Sequence, residues 1–350
     1  MLTVGLIFGG RSAEHEISII SARAIHKNLN PKKYRVISIY VTRKGNWKVV
    51  ASPGVSGSGL NGGRSFSFLP WDRSRPEIPV KADVYFPVLH GPYGEDGTIQ
   101  GLLEMADVPY VGAPVLASAI GMDKAIFKHL LSRLGLPVVP YLVLYENEWK
   151  ASRQQIEEKI LQELGLPLFV KPANLGSSVG ISKVKNRMAL ARAARLAFRY
   201  DQKILVEKAI KGREIECSVL GNERPRASLP GEVIPYREFY DYADKYLDGK
   251  TGFRIPAALP PDLVRRFQEL AVASFRAIDG CGMARVDFFL EQETGNIYIN
   301  EINTIPGFTE ISMYPRLWEV SGLSFSRLLD RLIQLALRRH RLKKRCLERT

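Results

Sequence analysis

The chain opens on a short apolar run, residues 2–8, that ends in Gly9-Gly10 and leads into a helical pattern over about 12–28. A second apolar run follows at 34–41. Strand, glycine turn, helix, strand is a βαβ unit. It commits the beginning of the chain to a mostly parallel sheet, and hence to the α/β class. Ligands in such sheets sit beyond the carboxyl ends of the strands, so residues 9–18 form a candidate site. The first run has no basic segment before it and no small-residue cleavage site after it, and reads as a buried strand rather than a leader.

With 350 residues the chain has material for two or three packed units. A strand and a glycine-rich loop recur at 84–97, with a helix over about 98–106. A second unit is expected from residue 121, with helices over 123–134, 151–164 and 187–200 and strands at 140–144, 168–171 and 204–207. A third starts near residue 209, with a strand at 214–220. The expected division is 1–120, 121–208 and 209–340, followed by a basic tail at 341–350. Residues 51–80 are rich in Gly, Ser and Pro and read as a surface insertion. They contain Gly57-Ser58-Gly59-Leu60-Asn61-Gly62, but Pro53 precedes it and no helix follows. The dinucleotide fingerprint, which needs strand before and helix after, is rejected.

The net charge of +14 suits anionic substrates. Part of it lies in the run 338–345, which carries neither aromatic interleaving nor zinc-finger spacing, so nucleic-acid binding is not expected. No apolar run is long enough to span a membrane, so a cytoplasmic protein without membrane insertion is expected. Cys217, Cys281 and Cys346 are scattered and odd in number, which points to reduced thiols.

Four segments could carry chemistry. Residues 285–290 and 297–303 flank a turn containing Gly295 and read as a hairpin; Asp287 and Glu301 lie at mirror positions about residue 294. Directly paired carboxylates repel, and a divalent cation removes that cost. Asn303 falls on the same face with an amide oxygen. The alternative is a solvated acidic face. Lys171-Pro172 with Gly176-Ser177-Ser178-Val179-Gly180 lies between two strands and offers N–H groups, hydroxyls and an ammonium to an anion; it is either a phosphate flap or an ordinary turn. Pro306-Gly307 sets a turn whose N–H groups could meet an oxyanion. Residues 239–246, rich in tyrosine, suit a lid or a packed Ω-loop.

Together these segments resemble the ATP-grasp ligases, and within them the D-alanine:D-alanine ligase family. The matching residues are 9–18, His90-Gly91 with Gly94-Glu95-Asp96-Gly97, Met122-Asp123-Lys124, the Lys171 to Gly180 segment, Tyr240-Asp241-Tyr242 with Lys245-Tyr246, Arg285-Val286-Asp287, and Glu301 to Thr304 with Pro306-Gly307. They run in family order over nearly the whole chain.

The resemblance implies a three-unit ATP-grasp architecture, α/β in its N-terminal part and α+β where two mixed sheets hold ATP. It implies ATP-dependent joining of two D-alanines through an acyl phosphate, for peptidoglycan precursor synthesis. D-lactate or D-serine as acceptor is the alternative. Asp287, Glu301 and Asn303 would hold two Mg²⁺ ions, with Mn²⁺ as a substitute. Lys124, Lys171 and Lys245, with Ser177 and Ser178, would contact phosphates. Phe169 and Phe289 would wall the adenine, Glu207, Lys208 and Ile210 would read its edge, and Glu214 would hold the ribose. Arg285 and the Gly307 N–H would stabilise the oxyanion. Glu14, with Ile17 and His90, would bind the first D-alanine, and Ser312 and Met313 the second. Glu14, Ser177 and Tyr246 would form a hydrogen-bonded set that closes the site. A homodimer is the family's expectation.

Overall fold

The computed structural model describes residues 1–54, 60, 63–65, 81–176, 179–235 and 251–347. The opening βαβ unit is present: β1 (Leu2–Gly9), α1 (His15–Asn28) and β2 (Tyr34–Val41). β1 lies parallel between β2 on one side and the edge strand β5 (Val84–Pro87) on the other; β3 (Trp47–Val50) and β4 (Arg64–Ser65) extend the sheet antiparallel beyond β2. The turn leaving β1 requires glycine. Gly9 has φ +94°, and a Cβ there would lie 2.2 Å from Val41 O. Of the insertion, only β4 and a few flanking residues are described; most of the rejected glycine motif lies outside the described residues.

α2 (Thr98–Met105), α3 (Val115–Met122) and α4 (Lys124–Arg133) lead to the second sheet. α3 is absent from the sequence expectation. Its sequence, VLASAIGM, is almost uniformly apolar or small, so it shows no polar face to reveal a helical period. Asp123 caps α4, accepting from the N–H groups of Ala125 and Ile126 at 3.0 and 3.1 Å. The second sheet has order β6-β9-β7-β8, all antiparallel: β6 (Tyr141–Tyr145), β7 (Leu168–Pro172), β8 (Ser182–Val184) and β9 (Lys203–Lys208). α5 (Glu146–Leu164) and α6 (Arg187–Ala197) pack against it around Val170, Leu190 and Val206. α5 starts earlier than its sequence pattern indicates, because non-helical dihedrals at Ser152 (φ −136°, ψ 38°) separate a first turn from the amphipathic stretch.

The third sheet has order β13-β12-β10-β14-β15, with β11 (Arg226–Ala227) beside β10. Its strands are β10 (Gly212–Gly221), β12 (Gly231–Ile234), β13 (Gly252–Arg254), β14 (Gly282–Glu291) and β15 (Ile297–Asn303). α7 (Pro261–Ala277) buries Phe267, Leu270 and Phe275 on one face of it. Residues 137–139 pair with β15, the Ile299 N–H donating to Pro137 O at 2.7 Å, which joins the second sheet's entry strand to the third sheet. After α8 (Met313–Val320), α9 (Phe325–Leu347) returns to the first sheet and buries Leu328, Leu329, Leu332 and Ile333 with Val4, Leu6 and Phe86. The basic run 338–345 is therefore helical. Arg339 donates to the carbonyls of Tyr110 (2.9 Å) and Gly112, with its guanidinium 4.4 Å from the Tyr110 ring centre. Lys343 pairs with Glu104, and Lys344 with Asp107 at 3.2 Å.

Candidate active site

A cavity of about 530 Å³ lies between the second and third sheets. Each sheet lends it a phenylalanine, Phe169 from β7 and Phe289 from β14. The β9–β10 connection supplies Glu207, Lys208, Ile210 and Glu214 to its wall. Lys208 spends its own N–H on Pro140 O at 3.0 Å, and Ala209 donates to Pro167 O at 3.0 Å. Lys124, Lys171, Asp287, Asn300 and Glu301 also line it.

The acidic hairpin forms, and Asp287 pairs directly with Glu301. A β-bulge follows immediately: Phe288 faces Ile299, so Asn300 is the extra residue. Asn300 accepts from Lys171 Nζ at 3.2 Å. Arg285, two residues before Asp287 on the same face, forks onto both of its oxygens at 2.7 Å. It also reaches Glu216 Oε2 at 3.0 Å; Glu216 lies opposite Asp287 on β10. Burial works against the Arg285 charge, but Asp287 and Glu216 hold its pKa well above the usual value. The Asn303 NH₂ donates to Asp287 Oδ2 at 3.0 Å.

The donor set fits a hard divalent cation. Asp287 and Glu301 supply carboxylates, Asn303 an amide oxygen, and phosphates would complete the shell. Lys124 stands 3.3 Å from Glu301 Oε2 and Arg285 on Asp287, so both acids carry cationic compensation. Among the described residues no group of three or more His, Cys, Asp or Glu is arranged to hold a metal ion.

Lysines bring the positive charge. Lys124, at the start of α4, donates to Leu175 O at 2.8 Å, tying the helix to the glycine–serine segment. Lys171 pairs with Glu207 Oε2 at 2.6 Å. Glu207 is 3% exposed; burial opposes its charge, yet Lys128 and Lys171 hold its carboxyl below the usual range.

The N-terminal sheet contributes from the carboxyl ends of β1 and β5, as the βαβ reading expects. Glu14 precedes α1, buried, with its N–H donating to Ser12 Oγ at 3.2 Å; Ser12 in turn donates to His90 O at 2.7 Å. A Cβ on Gly91 or Gly176 would come within 2.8 or 3.2 Å of Glu14 Oε2, so the carboxylate lies between two glycine backbones. Ile17 is half-buried one turn further on. His90 donates from Nδ1 to Ile305 O at 3.0 Å, and its Nε2 accepts from Ser21 Oγ at 3.3 Å. Ser21 accepts the Phe308 N–H at 3.2 Å. This chain brackets Gly307 and ties its turn to α1 and the β5 loop. Burial keeps the His90 pKa below its ordinary value. Ser312 Oγ accepts the Thr309 N–H at 3.0 Å and would lie 2.7 Å from a Cβ on Gly307. Met313 begins α8, its side chain buried with Val233 and Leu317.

Ser177, Ser178, Lys245 and Tyr246, with the rest of the tyrosine-rich segment, lie outside the described residues. Sequence reasoning did not single out Ser21, Glu216 or Asn300. Alternation with Glu214 along β10 marks Glu216 as facing the same way. The bulge that exposes Asn300 has no local signature, and Ser21 lies 287 residues from its partner Phe308.

Two antiparallel sheets holding a cavity between them, with lysines and an acidic hairpin on its wall, define an ATP-grasp enzyme. Residues 3–113 match the family model described as D-ala D-ala ligase N-terminus, and residues 130–334 the one described as D-ala D-ala ligase C-terminus. The D-alanine–D-alanine ligase of Heliobacterium modesticaldum is 51% identical over 98% of this chain and 96% of its own length. That of Bacillus velezensis is 47% identical over 95% and 97%. The solved D-alanine-D-alanine ligase of Coxiella burnetii superposes with TM-score 0.88 at 39% identity, covering 100% of both chains. The VanG D-Ala:D-Ser ligase of Enterococcus faecalis does so with TM-score 0.83 at 37% identity, over 96% of this chain and 99% of its own. The chain belongs to the D-alanine–D-alanine ligase family, whose members are ATP-dependent ligases that use a divalent metal. No helix among the described residues is long and apolar enough to cross a membrane.

Proposed function

We propose that the chain joins two D-alanine molecules, with ATP hydrolysed to ADP and phosphate, as a step in cell-wall precursor synthesis. The γ-phosphoryl group passes to a carboxylate oxygen of the first D-alanine, and ADP leaves. The amine of the second attacks the acyl carbon; the C–N bond forms, the C–O bond to phosphate breaks, and the amine gives up its proton. The chain's work is positioning and charge compensation. Glu14 holds the ammonium of the first substrate. Arg285 and the Gly307 N–H face the oxyanion, and Ser312, with the Met313 N–H at the start of α8, takes the carboxylate of the second substrate. Lys124 and Lys171, with Lys245, Ser177 and Ser178, hold the phosphates; Phe169 and Phe289 sandwich the adenine, Glu207, Lys208 and Ile210 meet its edge, and Glu214 the ribose. Glu14, Ser177 and Tyr246 close the site against water. Asp287, Glu301 and Asn303 hold two Mg²⁺ or Mn²⁺ ions, which neutralise the phosphates. The active form is a cytoplasmic homodimer whose substrates are small molecules, and its architecture is three units with boundaries near 120 and 208.

The observation that carries the reading is the convergence of the Asp287–Glu301 pair, Asp287 held by Arg285, with Lys124 and Lys171 on the wall of the inter-sheet cavity. The test is phosphate release with ATP, Mg²⁺ and each amino acid alone. Release that needs ATP and D-alanine together, and yields D-alanyl-D-alanine, is expected. Equal turnover with L-alanine overturns the substrate. A panel of acceptors over several pH values separates D-alanine from D-serine and D-lactate, since the hydroxy acid carries no ammonium to deprotonate.

A further inference from the structure

Lys128 has no part in the scheme above. It lies on α4 four residues after Lys124, so both project from one helix face. Its side chain is fully buried, and it does not line the cavity. Its ammonium stands 3.1 Å from Glu207 Oε1, while Lys171 holds Glu207 Oε2 at 2.6 Å and reaches Asn300 at 3.2 Å. Lys128, Glu207, Lys171 and Asn300 thus form a continuous line from α4, through β9 and β7, to the bulge beside Glu301.

We propose that Lys128 is a positioning residue of the nucleotide site, acting through Glu207 to fix the Lys171 ammonium and to keep a net positive charge beneath the phosphates. The inference rests on the ATP-dependent reading above. Its physical basis is a charge count. One carboxylate shared by two ammonium groups leaves one positive charge over. Without Lys128, Glu207 neutralises Lys171 completely, and the strand end offers phosphate no net attraction. Geometry adds to this: with one oxygen released, the carboxylate is free to rotate, and the Lys171 ammonium loses its fixed partner. Burying an ammonium is costly unless it is paired, so a fully buried lysine held by a single carboxylate is poor evidence for stabilisation alone. Burial chiefly, partly opposed by Glu207, brings the Lys128 pKa down to about 8.

The test is calorimetric binding of Mg·ADP to the full chain, with steady-state kinetics beside it. Lys128→Met is expected to weaken ADP roughly tenfold and to raise KM for ATP, leaving KM for D-alanine unchanged. The double variant Lys128→Met/Glu207→Gln removes both buried charges of the pair. It is expected to restore the melting temperature if Lys128→Met lowers it; the count returns to one positive charge, but Lys171 has lost its fixed carboxylate and the adenine edge has lost Glu207, so ADP affinity stays below that of the unsubstituted chain. Wild-type ADP affinity in Lys128→Met, or an equal rise of KM for ATP and for D-alanine in that variant, overturns the proposal. Failure of the unsubstituted chain to bind Mg·ADP overturns the nucleotide reading itself, and this inference with it.

Discussion

Glu301 faces Asp287 directly across the β14–β15 ladder, although the paired residues beyond them run one position out of that register. The bulge at Asn300 accounts for the shift. It keeps the two carboxylates opposed and turns an amide oxygen toward Lys171, so one irregularity shapes both the acid pair and the lysine wall of the cavity.

Asp287 is held by Arg285 and Asn303, so replacing it leaves Arg285 to Glu216 alone as well as removing a proposed metal donor. Asp287→Asn is expected to lower divalent-cation affinity by at least the roughly 10- to 100-fold that loss of an outer-shell partner costs. Titration with Mn²⁺ followed by electron paramagnetic resonance reads this without turnover. Unchanged affinity would remove Asp287 from the metal set.

Ser312 Oγ stands beside Gly307 and within 2.7 Å of the Thr309 hydroxyl. If it binds the second carboxylate, Ser312→Ala forfeits a charge-assisted hydrogen bond of about 1.5–3 kcal/mol. KM for the acceptor should then rise about tenfold to a hundredfold, with KM for ATP unmoved. An equal rise in both constants would point to a structural role for the hydroxyl.

Glu95, half-buried, accepts the Gly91 N–H at 2.7 Å. Burial first, and then the Glu14 charge, raise its carboxyl to about 8. An acid whose pKa is raised by folding contributes stability that is complete below its unfolded value. That stability is lost as pH rises through the folded value. Glu95→Gln keeps a hydrogen-bond acceptor and cannot ionise. Its unfolding free energy should fall less than that of the unsubstituted chain between pH 5 and 8; parallel curves would refute the assignment.

Arg339 anchors α9 to the Tyr110–Gly112 segment through two carbonyls and an aromatic face. Arg339→Met keeps the aliphatic stem and should cost about 2 kcal/mol in urea unfolding, with kcat unchanged. A variant of full stability that instead loses salt-sensitive binding to nucleic acid would assign the basic run a different purpose.

Much of the architecture is legible locally. The apolar runs at β1 and β2, the glycine turn between them and the alternation along β14 and β15 each follow from neighbours a few residues apart. The observed bounds Tyr34–Val41 coincide with the sequence pattern. The mirror positions of Asp287 and Glu301 about residue 294 name the right pair, but the turn itself sets a register one residue off, and only the bulge at Asn300, which has no local signature, restores their pairing. α3 was not, because a helix apolar on every side carries no period to detect.

The sequence by itself determined the class of fold, the acidic hairpin and the residue types that a nucleotide and a carboxylate require. Tertiary structure alone decided which charges meet. Lys128 finds Glu207, Ser21 links His90 to Phe308, and Arg339 closes α9 onto Tyr110 across 229 residues of chain. Local periodicity arises from contacts that any short segment makes with itself, so it is written in composition and spacing. Pairing of buried charges arises only when separate sheets and helices close on one another. Its energy depends on burial and distance, neither of which a linear pattern contains.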